Sequence, residues 1–245
     1  MQDNKLHSSP AAGTTPAPGA LSGKCRNTIH APLSEGAFPS LPPDTPTSPR
    51  DADARVVMAR RLQSRDLIKY AMSRGIPPQI ASRYCVEVAA RGKVQGMLYL
   101  NLGFPNNNGG YALKAPSGFK STTKTGITTI NTSGKFTDEA SCDTVTVFEG
   151  FFDFLSWLVE TGSMTPLTDV VVLNSVSNVG RAIPYLDRHR ETSCYLDRDE
   201  AGRKALESIM HSAGHTKVTD CSMFYYGYND FNEWLTATKK GRWSW

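Results

Sequence analysis

The sequence predicts an α/β protein: a parallel sheet with helices on both faces, preceded by a small α+β subdomain. Three observations predict it. From Thr144 onward, unbroken apolar runs alternate with helical patterns, as strands buried on both faces require. Between residues 55 and about 135 the runs are short, alternating or β-branched, and separated by Asn, Gly and Pro clusters. The first 53 residues show neither pattern.

That first stretch is expected to be a disordered tail. Nine of the fifteen prolines fall before residue 55, among Ser, Thr and Gly with hardly an aromatic. Such a segment buries too little apolar surface to offset its ordering entropy. It lacks the apolar core region of a secretory signal. In "SRDLIKYAMSRGI", Leu67, Ile68, Ala71 and Met72 fall at helical spacing, with Ser64 as N-cap and Gly75 as stop. "PPQIASRYC" reads as a short helix opened by proline. "KVQGMLYLNLGF", "GGYALKAP" and "TGITTIN" read as strands of a small antiparallel unit, with a turn at "PNNNGGY".

In the second half, "TVTVFEG", "DVVVLN", "SCYLD" and "KVTDCSM" are four strand candidates. Between them, "FFDFLSWLVETG" is an apolar helix closed by Gly162, and "VGRAIPYLDRH" a helix with Pro184 near its start. "RDEAGRKALESIMHSAG" is a helix with Ala201, Ala205, Leu206, Ile209 and Met210 on its apolar side. The expected organisation is a tail (1–53), a basic α+β subdomain (54–140), the parallel-sheet domain (141–238) and a basic tail (239–245).

Composition narrows the function. No run of about 18 apolar residues occurs, so no membrane helix is expected. The five cysteines are scattered without a CxxC pair, which argues against a disulfide framework or zinc ribbon and for a reducing cytoplasm. His211 and His215 share a spacing of four, but Gly214 between them reads as a helix end rather than a zinc site. No P-loop, GxGxxG or GxSxG motif is present. Charge is divided. Residues 55–135 carry thirteen Lys or Arg against Asp66 and Glu87, whereas 136–238 carry seven against sixteen acids. Either this is incidental to solubility, or a polyanion-binding surface adjoins a carboxylate-rich metal site.

Acids gather at the ends of predicted strands. Glu149 follows "TVTVF", with Gly150 next and Asp153 four residues on; Asp197 and Asp199 follow "SCYL"; Asp230 lies in "YNDFNEWL". Carboxylates are costly to cluster without counter-charge, and open α/β sheets place their sites at strand carboxyl ends. Mg²⁺ or Mn²⁺, which take hard oxygen ligands and leave positions for water and phosphate, would neutralise them. Asp199 has a second reading, as N-cap of the following helix. Lys114, Lys120 and Lys124, interleaved with Ser117, Ser121, Thr122 and Thr123, read as phosphate contacts or as a solvated basic loop.

"VFEGFFDF", "VVLNSVSN" and "CYLDRDEAGRKA" resemble the conserved segments of Toprim domains, the catalytic module of bacterial-type primases, topoisomerases and some nucleases. "YLNLGFPNNNGGYALKAP" resembles the β unit preceding Toprim in primase-like proteins, especially a group found on mobile elements. The resemblance spans about Ser64 to Leu235. It implies Glu149 as metal ligand or general acid/base, Asp197 and Asp199 as the metal-binding Asp-x-Asp, and Asp153 and Asp230 as further acids. Asn229 and Asn232 stand where Lys and Asp are expected in the later acidic segment. The implied function is Mg²⁺-dependent primer synthesis on single-stranded DNA from nucleoside triphosphates, in replication or mobilisation of a genetic element. A helicase or other replication proteins are the implied partners. A Toprim nuclease and a non-catalytic nucleic-acid-binding module are the alternatives.

Overall fold

A computed structural model describes residues 55–91, 97–212, 214 and 217–239. The expected Pro-rich tail (1–53), His215 and all of the basic tail beyond Lys239 lie outside the described residues.

Five strands form an antiparallel meander in the order β1-β2-β3-β4-β5: β1 (Arg55–Arg61), β2 (Val86–Arg91), β3 (Leu98–Pro105), β4 (Tyr111–Lys114) and β5 (Lys120–Thr122). Strand β1 was not anticipated. "RVVMARR" is basic at both ends, its pairing to β2 is interrupted by a bulge between Val56 and Met58, and Val57 and Met58 are exposed, so no clean alternation marks it.

Between β1 and β2 come α1 (Arg65–Ser73) and α2 (Pro78–Tyr84), both anticipated. Ser64 Oγ accepts from the Leu67 N–H at 3.4 Å, and Gly75 takes the left-handed conformation (φ +75°) that ends the helix. Glu87 on β2 is fully buried and accepts from the N–H groups of Gln63 and Ser64, at 3.1 and 2.7 Å, and from Arg60. The start of α1 is thereby fastened to the meander.

The second sheet has the order β10-β9-β7-β8-β6. Strands β7 (Thr144–Phe148), β8 (Asp169–Val172), β9 (Glu191–Tyr195) and β10 (Lys217–Asp220) are parallel, as predicted. The edge strand β6 (Thr128–Ile130) pairs antiparallel with β8. This corrects the expectation for "TGITTIN": a short β-branched run is equally suited to either sheet, and the chain carries it across to the second. Helices α3 (Phe151–Thr161), α4 (Val179–Leu186) and α5 (Glu200–Ser212) make the parallel crossovers, and α6 (Phe231–Thr238) follows β10. Pro184 lies inside α4, toward its end, rather than near its start. On α5 the buried stripe is Gly202, Ala205 and Ile209; Ala201 and Met210 face outward, against expectation.

Every residue of β7 and β8 is buried, which explains why they are apolar or Thr except for Asp169, whose carboxylate is bonded by Ser141, Cys142 and His189. On one face Phe148, Val172 and Tyr195 pack with α3 and α6, and this core continues into α1, α2 and Leu102 and Phe104 of the meander. On the other, Val145, Val147, Val171 and Cys194 pack with α4 and α5. The shared first core fixes the meander against the carboxyl edge of the parallel sheet. No helix among the described residues is long and apolar enough to cross a membrane.

Candidate active site

Glu149 directly follows β7, where the chain turns into α3 through Gly150, the residue that caps that helix without a side chain. One of its oxygens, Oε2, is buried without a hydrogen-bond partner among the described residues. Burial raises the Glu149 pKa, Asp199 and Asp230 add to the rise, and the Asp197 backbone N–H and Lys120 oppose it.

Asp197 leaves β9 toward α5. Its pKa is pushed up to about 8, first by burial and then by the charges of Asp153, Glu149, Asp230 and Asp199. Its only hydrogen-bond donor among the described side chains is Asn229 Nδ2, at 3.5 Å from Oδ2. Arg198 turns away from the acids, against the attraction of their charge, because other partners hold it: Nη1 donates to the Ser222 carbonyl at 3.1 Å and the guanidinium lies 4.9 Å from the Tyr226 ring centroid.

Three acids are held by backbone N–H groups at helix starts. Asp199 Oδ1 accepts from Gly202 N–H at 2.8 Å, so the cap reading of this residue is realised in α5. Asp230 Oδ1 accepts from Glu233 N–H at 2.6 Å, and Glu233 reaches back to the Asn229 N–H at 2.7 Å, in the manner of a capping box. Asp153, buried in the first turn of α3, accepts from Asn232 N–H at 3.1 Å. Burial raises its pKa, Asp230 adds to this, and Lys114 is the first opposing charge. All five acids thus act on one another electrostatically. Even so, no three His, Cys, Asp or Glu side chains among the described residues stand close enough to hold a metal ion. Each carboxylate instead takes an available N–H.

The lysines separate. Lys114, at the end of β4, reaches into the acidic cluster rather than out to solvent: its ammonium lies 5.2 and 5.0 Å from the ring centroids of Phe151 and Phe152, and Asp153 is the acid that most favours its charge. Burial is the larger influence and lowers its pKa. Lys120, exposed on β5, acts on Glu149. Lys124 is exposed on the connection to β6, with its carbonyl accepting from Asn106 Nδ2 at 2.6 Å.

Sequence reasoning gave Asn229 and Asn232 no role. Asn229 faces Asp197. Asn232 is fully buried and joins three elements: Nδ2 donates to the Arg74 carbonyl at 2.8 Å and to Ser156 Oγ at 2.7 Å, and its N–H holds Asp153. Residues at these places serve the geometry of the acids, and an Asn in "NDFNEWL" carries no pattern that announces this.

The donor set fits a divalent cation: hard oxygens, an orphaned buried carboxylate oxygen, and an aspartate whose charge its neighbours disfavour. Two families match the sequence. The Toprim-like family matches residues 146–235, and a domain of unknown function, DUF8464, matches residues 56–124. None of the curated proteins matches. Among solved structures, the primase fragment of the bacteriophage T7 primase-helicase protein is similar, with a TM-score of 0.50 and 19% identity over 77% of this chain and 77% of that one. A chain in the structure of bacteriophage T7 lagging-strand DNA polymerase interacting with primase domains of two gp4 subunits aligns with a TM-score of 0.47, at 21% identity over 71% of this chain and 84% of that one. For the Aquifex aeolicus primase the TM-score is 0.44, at 18% identity over 74% of this chain and 54% of that one.

Proposed function

From the premise that residues 146–235 form a Toprim-like domain within a primase-like fold, we propose that the protein is a Mg²⁺- or Mn²⁺-dependent nucleotidyltransferase that makes primers on single-stranded DNA. The single observation that carries this is the gathering of Glu149, Asp197 and Asp199 beside the ends of β7 and β9, with Asp153 and Asp230 near them, where burial first and then the neighbouring acids push the Asp197 pKa up to about 8.

Glu149 and Asp197 would hold the cation first. Asp199 and Asp230 would join by giving up their caps, and Asp153 supports from behind. Bound there, the ion supplies charge neutralisation for a triphosphate. The remaining roles belong to the chain. Lys120 faces the cluster from the meander and suits an incoming phosphate. Lys114, steadied by two rings, balances Asp153. Glu149 has an alternative role: left off the ion, with an unpartnered buried oxygen and a raised pKa, it would suit acceptance of the proton when a 3′-oxygen attacks the α-phosphorus and pyrophosphate leaves.

One observation favours a second reading. Asp199, Asp230 and Asp153 are all satisfied by N–H donors as they stand, which is what a non-catalytic Toprim module would retain. Incubation with single-stranded DNA, ribonucleotides and Mg²⁺ or Mn²⁺, with synthesis and cleavage both measured, separates the readings. New oligonucleotide product supports primer synthesis. Cleavage alone identifies a nuclease, and neither product, with binding intact, identifies a binding module.

A further inference from the structure

A cavity of about 220 Å³ lies outside the acidic cluster, between the β3–β4 turn, β6 and α4. Its walls include Asn107 and Asn108 from the turn, Asp138, Arg181 and Tyr185 from α4, and Arg188 just beyond that helix. The wall amides are committed to the fold. Asn107 Nδ2 donates to Thr129 Oγ1 at 2.7 Å and Oδ1 accepts from Thr129 N–H at 3.0 Å, which covers the edge of β6; Asn108 Nδ2 donates to the Thr125 carbonyl at 2.6 Å.

Other donors are uncommitted. Tyr185 is only 4% exposed, yet its hydroxyl has no hydrogen-bond partner among the described residues. A buried hydroxyl in that state is costly, and a group from outside the chain would relieve it. Arg181 is exposed and has no partner among the described residues. Arg188 is pinned in place: Nη1 donates to the Asp138 carbonyl at 2.8 Å, and the guanidinium lies 5.7 Å from the Tyr185 ring centroid. The rest of its donor fork is left for a ligand. Arg181 lies within α4 and Arg188 two residues past its end, both on the cavity wall, where two long side chains can close over one small anion. Against these two cations stand Asp138 on the wall and, behind Tyr185, the buried Asp169, which is paired with His189.

We propose that this cavity binds a backbone phosphate of nucleic acid, with Arg181 and Arg188 on its oxygens and the Tyr185 hydroxyl as a third donor. The volume is below the range of about 300–1,000 Å³ typical of pockets for whole small ligands, and suits one phosphate with adjoining sugar atoms. The cavity runs along the β6 side of the second sheet. At one end the Gly126 carbonyl accepts from Asn174 Nδ2 at 3.1 Å and Asn178 Nδ2 at 3.5 Å, in the segment that follows the carboxyl end of β8. Tyr185 and Arg188 lie toward the other end, beside His189 and Asp169 at the start of β8. Only the source of the phosphate rests on the primase-like reading; the donor set is independent of it.

The test titrates the full chain with a labelled single-stranded oligonucleotide, with inorganic phosphate, and with acetate as the control anion, alongside a thermal melt. The variants are Tyr185→Phe and Arg181→Ala, with Lys217→Ala, at the exposed start of β10, as the control for loss of a surface charge. The expected result is about tenfold weaker binding of both phosphate and oligonucleotide in each cavity variant, as loss of a charge-assisted contact predicts. Acetate should bind more weakly than phosphate, and Tyr185→Phe should melt no lower than wild type. Lys217→Ala should leave these titrations unchanged, and primer synthesis by wild type is assayed separately, so failure of the catalytic reading would not be mistaken for failure here. Unchanged phosphate and oligonucleotide binding in Tyr185→Phe and Arg181→Ala would overturn the proposal. A loss confined to inorganic phosphate would overturn the nucleic-acid assignment.

Discussion

A Cβ on Gly202 would stand 2.0 Å from the Asp197 carbonyl oxygen. The first turn of α5 therefore lies directly on the backbone that presents Asp197, and only glycine permits the approach. The Gly in "DRDEAGRKA" is a positional requirement of the acid beside it.

Gly202→Ala should consequently cost roughly 1–3 kcal/mol by overpacking and displace Asp197. Gly180→Ala is the matched control. It also lies in a helix, but nothing stands within 4 Å of its added Cβ, so it should stabilise by roughly 0.5–1 kcal/mol. Denaturant melts on both variants check the pair. Equal effects would show that close packing at Gly202 is not what its sequence position records.

Asp199 has two separable roles. Asp199→Ala should cost about 1 kcal/mol through loss of the α5 cap. Asp199→Asn keeps a capping oxygen and should stay within about 0.5 kcal/mol of wild type, yet weaken Mn²⁺ binding. Melts and metal titrations on both variants distinguish cap from ligand. Metal binding unchanged in Asp199→Asn would assign the residue to the cap alone.

Glu87 predicts an acid-labile step. Burial by itself would raise its pKa, but the N–H groups of Ser64 and Gln63 and the Arg60 guanidinium reverse the direction and hold it below the ordinary 4.5. A lowered folded-state pKa contributes stability that is fully present above the unfolded value and is lost as pH falls through the folded value. Glu87→Gln should therefore destabilise at pH 7, and the deficit should shrink as pH falls below about 4. A deficit independent of pH would refute the linkage.

Much of this fold was legible because its strands are buried on both faces. "TVTVF" and "DVVV" could not be solvated, and each is followed by a helical pattern and, at β7 and β9, by an acid at the turn. Legibility failed where long-range pairing decided the outcome. β1 carries exposed apolar residues around a bulge, and β6 is three residues long, so neither reveals its partner locally. The same holds for the site. Glu149, Asp153, Asp197, Asp199 and Asp230 were visible as acids near strand ends, whereas the inward turn of Lys114 depends on where Phe151 and Phe152 pack. His189 showed no signal, yet its Nε2 lies 3.0 Å from Asp169 Oδ2 with both side chains fully buried.

The central claim is that the acids at this sheet edge form a divalent-cation site, and Mn²⁺ calorimetry at pH 8 on wild type and Asp197→Asn, with a melt of each metal-free protein, tests it most directly. Because the folded-state pKa of Asp197 is raised from 3.8 to about 8, the metal-free protein holds a proton that the unfolded chain releases, and stability falls as pH rises through that window. Wild type should bind Mn²⁺ and melt higher with it. Asp197→Asn should bind none, and should melt higher than metal-free wild type by roughly 1–3 kcal/mol of stability. Absence of Mn²⁺ binding to wild type, or equal binding to Asp197→Asn, would contradict the account.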